Sequence, residues 1–157
     1  MKNNNAYGNS ALHDAAFAGN LDLLKELIKE FGDVNICNKD DETPLHLATV
    51  RSQTQSVKAL IAAGAYVNAE NKFGNTPLHN AAGSGNIAIV QMLVDDHAHV
   101  NVQNAKGMSP LHVAAKKGFA KIVQFLIHHG ADTQLINSQG QRAFDCAGSE
   151  EMKTWLL

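Results

Sequence analysis

The sequence predicts an all-α solenoid of stacked helix-turn-helix units, and three observations predict it. The first is a tetrapeptide that returns at one spacing. Thr43-Pro44-Leu45-His46, Thr76-Pro77-Leu78-His79 and Ser109-Pro110-Leu111-His112 lie 33 residues apart, with weaker copies at Ser10-Ala11-Leu12-His13 and Arg142-Ala143-Phe144-Asp145. A fixed period of this length marks units that bury their apolar faces only by stacking on their neighbours. The second is the chemistry of the tetrapeptide. A Thr or Ser hydroxyl suits a helix N-cap, and the Pro after it is pre-set for the first helical position. The third is a second helical stripe in each unit, such as Leu21, Leu23, Leu24, Leu27 and Ile28, spaced by three and four residues.

The units follow in order. The first, about 5–37, has Gly8 for a turn, Ala15 and Ala16 for a small packing face, and Gly19 to close its first helix. Asp22, Lys25, Glu26, Lys29 and Glu30 suit the outer face of its second helix. The second unit, 38–70, is irregular: Thr54 and Ser56 stand where the other units have Leu21, Ile87 and Ala120, and Leu23, Ile89 and Ile122. That reads either as a weak repeat or as a bulge that contacts a partner, and the weak repeat is preferred. Gly64-Ala65 suits a helix C-cap. The third unit, 71–103, places His97 where Gly64 and Gly130 stand, a left-handed slot that His tolerates at some cost. The fourth, 104–136, restores the pattern. A terminal segment, 137–157, starts a last helix at Ser149-Glu150-Glu151, and its Met152, Trp155 and Leu156 are expected to cover the end of the core. The array accounts for the whole chain, so the expectation is one domain, 1–157, with no catalytic appendage.

Period 33 with Thr-Pro-Leu-His-x-Ala resembles the ankyrin-repeat family, over residues 5 to 157. The resemblance implies turn or β-hairpin tips between units. It implies that His13, His46, His79 and His112 bond to their own motif and to neighbouring backbone, not to metal. It also implies surface recognition of another protein by the tips and the exposed side of the first helices. Tip candidates are Tyr7 and Asn9; Lys39, Asp40 and Glu42; Lys72, Phe73 and Asn75; Lys106 and Met108; and Ser138 and Gln139. First-helix candidates are Phe17, Val50, Arg51, Ser84, Lys116 and Lys117. Tyr7, Phe17, Val50, Phe73 and Met108 are apolar in slots that the repeat leaves out of its core, as binding anchors would be. Asn35, Asn68 and Asn101, each with Leu eight residues earlier, resemble the context that asparaginyl hydroxylases accept in such domains. A role in stabilising the turn accounts for the same recurrence.

Composition narrows the function classes. A net charge of −2 gives no general pull toward nucleic acid or membrane, and no stretch reaches the ~18 apolar residues of a membrane span. Residues Met1 to Ser10 lack the apolar run of a secretory signal. Cys37 and Cys146 are about three repeats apart, too distant to pair, which fits a reducing, cytoplasmic compartment. Residues 5–37 carry two Lys against five Asp or Glu, whereas 104–136 carry four Lys against one Asp, a gradient able to orient a partner.

No catalytic constellation is legible: Cys37 has no arranged base, and His97 with His99 or His128 with His129 supplies at best two metal ligands. The expectation is therefore a non-catalytic binding module, monomeric alone, without cofactor, metal or small-molecule substrate, that grips a protein on its concave face as inhibitor or adaptor. With 11 Lys to 2 Arg and 15 Asn, a bias that AT-rich codons produce, an alternative is an ankyrin effector delivered by an intracellular bacterium into a host cytoplasm. The rivals of other classes are an enzyme using Cys37 as a thiol nucleophile or paired His as a metal site, and a nucleic-acid binder using Lys106, Lys116, Lys117 and Lys121. The acidic first repeat argues against the second of these.

Overall fold

A computed structural model describes residues 5–157; the reading of the first residues as no secretory signal falls in part on Met1 to Asn4, outside them. The period becomes helix pairs: α1 (Ala11–Ala18) with α2 (Leu21–Phe31), α3 (Pro44–Val50) with α4 (Thr54–Ala62), α5 (Pro77–Ser84) with α6 (Ile87–Asp95), and α7 (Pro110–Lys117) with α8 (Ala120–His128). A shorter pair, α9 (Ala143–Cys146) and α10 (Glu150–Trp155), closes the chain. Each first helix packs on the next first helix along the stack, and each second helix on the next second helix through α8. The tips are turns, and there is no strand among the described residues, so the hairpin part of the expectation gives way to turns.

Small residues let the first helices approach. Ala15 and Ala16, Ala48, Ala81 and Ala82, and Ala114 and Ala115 are buried, between the leucines Leu12, Leu45, Leu78 and Leu111. The second-helix stripe fills the other side with Leu24, Leu27, Val57, Leu60, Ile89, Val90, Leu93, Ile122, Val123 and Leu126. Leu23 departs from its expected place on that stripe and is exposed. Its slot holds buried Ser56, Ile89 and Ile122 in the later repeats and faces the preceding unit, which the first repeat does not have among the described residues.

The joints between repeats are polar as well as apolar. In each motif the backbone N–H of Ser10, Thr43, Thr76 or Ser109 donates to Nδ1 of the His three residues on, at 3.1–3.2 Å. Nδ1 therefore accepts and Nε2 carries the proton, which it donates to a carbonyl 29 residues ahead: His13 to Glu42, His46 to Asn75, His79 to Met108 and His112 to Gln141, at 2.9–3.0 Å. This bears out the structural role expected of the histidines. Both ring nitrogens of the neutral form are used, so protonation would set two donors face to face. Burial is the largest influence on His13, His46 and His79 and holds each below the usual histidine value. In the last unit Asp145 replaces His, and its carboxylate accepts from the Arg142 N–H at 2.8 Å, doing the local half of the task where no further tip follows.

Asparagines make the other two joints. Asn35, Asn68 and Asn101 each reach one repeat forward, donating to the carbonyls of Gly64, His97 and Gly130 and accepting from the N–H of Tyr66, His99 and Asp132, at 2.7–3.2 Å. Both ends of each amide are occupied by the fold. The tips are organised by Asn38, Asn71, Asn104 and Asn137, whose Oδ1 accepts from the N–H groups two and four residues later, at 2.9–3.0 Å.

Repeat 2 is not a bulge. Helix α4 has the same length as α6 and α8, and Ser56 is only 1% exposed, so the weak-repeat reading holds. Its Oγ is the one buried side-chain N or O atom without a hydrogen-bond partner among the described residues. Two of its turns also use non-glycine residues in the left-handed region, Asp41 (φ 58°) and Ser52 (φ 55°), where the neighbouring repeats have Gly74 and Gly85. His97 (φ 65°) takes the glycine slot as expected. At the chain's end Met152 and Leu156 are buried and Trp155 packs against them, as the sequence implies for a cover.

Candidate functional site

Tips and first helices share one face, and the hollows along it lie between them. One, about 360 Å³, is walled by Val50, Asn80, Gly83, Ser84 and Val113 of the first helices and by Asn75 and Asn104 of the tips. The next, about 630 Å³, is lined by Lys106, Met108, Asn137, Ser138, Gln139 and Gln141 of two tips with Lys116 and Cys146 of α7 and α9. The tips are held in line by one backbone bond each: Lys39 to Tyr7, Lys72 to Asp40, Ala105 to Phe73 and Ser138 to Lys106, at 3.0–3.2 Å. Gly107 (φ 68°) permits this stacking, since a Cβ there would lie 2.8 Å from the Ser138 backbone nitrogen.

The predicted contact residues divide into two groups. Tyr7 (72% exposed), Phe73 (54%), Val50 (46%) and Phe17 (42%) do present apolar surface to solvent. Two of the rings are partly covered by cations from a neighbouring position: the Arg51 guanidinium lies 4.8 Å from the Phe17 centroid and the Lys72 ammonium 4.9 Å from that of Phe73. Lys72 also pairs with Asp40, and Lys39 Nζ donates to the Ala6 carbonyl at 3.0 Å. Lys106, Lys116 and Lys117 are exposed.

The second group is turned to the fold. Met108, expected as an exposed anchor, is half-buried, its sulfur 3.4 Å from Asn137 Nδ2. Glu42 accepts from Asn38 Nδ2 at 3.4 Å, and Asn75 from Asn104 Nδ2 at 2.7 Å. The physical reason is positional. These residues occupy the tip's last slot, where Asn75 and Met108 meet the asparagine of the next repeat, Asn104 or Asn137, and Glu42 meets Asn38 of its own tip.

Sequence reasoning missed Gly83, Asn80 and Val113 on this face. Gly83 carried a signal: it interrupts a helical pattern in a slot filled by Phe17, Val50 and Lys116 elsewhere. Also missed were the exposed Phe31, Tyr66 and Ile136.

The alternatives of another class find little support in the geometry. Burial first, then the carboxylates of Asp41 and Asp33, pushes the Cys37 thiol above its usual value, away from the nucleophilic thiolate. Cys37 and Cys146 are both free. His97, His99, His128 and His129 are exposed, and no group of three metal-ligating side chains is gathered among the described residues. Among them, too, no helix is long and apolar enough to cross a membrane.

No curated protein matches the chain. The family described as ankyrin repeats matches it in three overlapping stretches, residues 1–71, 52–137 and 97–157. Repeats of this kind generally mediate protein–protein interaction and are typically non-catalytic. With the 33-residue helix pairs and their shared imidazole and asparagine joints, this match shows that the chain belongs to the ankyrin-repeat family.

Proposed function

We propose that the chain is a rigid, non-catalytic module that binds a protein partner on the concave side formed by tips and first helices, as an inhibitor or adaptor acting in a reducing, cytoplasmic setting. The observation that carries this reading is the row of exposed apolar side chains, Tyr7, Phe17, Val50 and Phe73, on a face where the fold does not use them. Leaving four such groups in water has no structural return, and a partner that desolvates them gains about 1.5–3 kcal/mol for each side chain it buries fully. Arg51 and Lys72, lying over two of the rings, supply the polar rim that surrounds such anchors.

The test is affinity capture from a lysate of the source, comparing the wild type with Val50→Ala/Phe73→Ala and with Tyr66→Ala, an exposed aromatic outside the row. A protein captured by wild type and by Tyr66→Ala but lost from the double variant, with circular dichroism unchanged, supports the reading. Equal capture by all three moves the site off this face.

A further inference from the structure

The two hollows differ in chemistry, and the difference describes what would fill them. Gly83 lies inside α5 without a positive φ, so its backbone does not require glycine, and glycine within a helix costs about 1 kcal/mol relative to alanine. A Cβ there would meet only a Val113 methyl, at 3.3 Å. The absent side chain leaves a notch whose two apolar side chains are Val50 and Val113, with Asn75, Asn80, Ser84 and Asn104 around them.

One helix further on, the larger cavity has two cations on its wall and no carboxylate. The first half of the face keeps its cations engaged: Lys39 on the Ala6 carbonyl, Lys72 on Asp40, Arg51 on Phe17. Lys106 and Lys116 make no side-chain hydrogen bond or ion pair among the described residues. Asp145, the carboxylate next to the cavity-lining Cys146, is occupied by the Arg142 N–H at 2.8 Å and guanidinium at 3.9 Å.

We infer that the partner enters as an extended segment carrying an apolar side chain for the Gly83 notch and, about three residues away, a carboxylate held between Lys106 and Lys116. The interval follows from geometry: neighbouring packed helices lie about 8–10 Å apart, and an extended chain advances about 3.3 Å per residue. This rests on the proposal that the tip and first-helix face binds protein, and it specifies the partner's chemistry. A peptide fits better than a nucleic acid because the notch is walled by valines, and the one ring in its lining, His79, is buried and bonded to Thr76 and to the Met108 carbonyl, so it presents no face on which a base would stack.

The test is a ¹⁵N NMR titration of the full chain with capped Gly-Leu-Ser-Ser-Glu-Gly and with the reversed order, Gly-Glu-Ser-Ser-Leu-Gly. For one of the two, amide shifts are expected at Gly83 and at Ser138 and Gln139. Affinity should fall about fivefold or more when the peptide Glu becomes Gln, and likewise in Lys106→Gln/Lys116→Gln, while Lys25→Gln/Lys121→Gln, the same change of charge on second helices, leaves it unaltered. Equal binding of the Gln peptide, shifts spread over all lysines, stronger shifts with oligothymidylate, or no shift at millimolar peptide overturns the inference. If the captured partner still depends on Val50 and Phe73 but not on Lys106 and Lys116, the binding face stands and the acidic specificity falls.

Discussion

Ser56→Ala is expected to stabilise the protein, although it removes a polar group and adds nothing. The Oγ of Ser56 is buried in the joint between repeats 1 and 2 and has no partner, and an unsatisfied buried hydroxyl costs about 1–3 kcal/mol. Alanine in the same helical position removes that cost and adds about half a kcal/mol of helix propensity. The expected gain is about 1.5–3.5 kcal/mol, a rise in melting temperature of about 3–14 °C for a chain of this length. Restoring the isoleucine found at Ile89 and Ile122 should do less well. Its extra carbons gain about 0.8 kcal/mol each, but forcing them into a joint that has closed around serine costs about 1–3 kcal/mol. The assay is urea unfolding followed by circular dichroism, in which the midpoint rises at constant m-value. A gain no larger than propensity alone, or a loss, would show that the hydroxyl is satisfied and that the joint is not strained.

Three further outcomes follow from the same joints. His97→Gly, at φ 65° in the slot of Gly64 and Gly130, should raise stability by about 0.5–1 kcal/mol in urea unfolding; a drop would mean that the imidazole makes a contact worth more than the strain. Gly83→Ala should stabilise α5 by up to about 1 kcal/mol, reduced by the 3.3 Å approach to Val113, and yet weaken binding of the apolar-acidic peptide, so that calorimetry and titration move in opposite directions. Acid should unfold the chain in a window set by histidine. His13, His46 and His79 titrate below the usual value of 6.5 when folded, so the unfolded chain binds more protons. Their contribution is complete above about pH 6.5 and is lost as pH falls toward the folded values, with a slope of up to about 1.4 kcal/mol per pH unit for each. A urea midpoint unchanged between pH 7.5 and 5.5 would contradict the neutral imidazole joints.

Local rules carried the sequence a long way. Capping by Thr43, Thr76 and Ser109, proline at the first helical position, alanine faces and glycine turns are all properties of short stretches, and each occurs where the sequence places it. The period turned these local signals into a stack, because a helix pair with an apolar side on each flank is stable only between neighbours. His97 was legible as a left-handed residue for the same reason: its slot is defined by Gly64 and Gly130. Asp41 and Ser52 follow the same logic at the slots of Gly74 and Gly85.

What depends on the next repeat was not legible. Met108 and Asn75 have the composition of exposed tips, but the following repeat's asparagine draws them inward, and Glu42 is engaged by Asn38 of its own tip. Leu23 reads as core, and is exposed because no described repeat precedes it. The sequence by itself determined the repeat, the helix pairs and the family, since these follow from spacing and capping within one unit. Only the tertiary structure decided which side chains remain free to bind, how Gly83 opens a notch beside unpaired lysines, and which hydroxyl is left without a partner, because burial and hydrogen bonding at those positions are set by atoms 29 to 33 residues away.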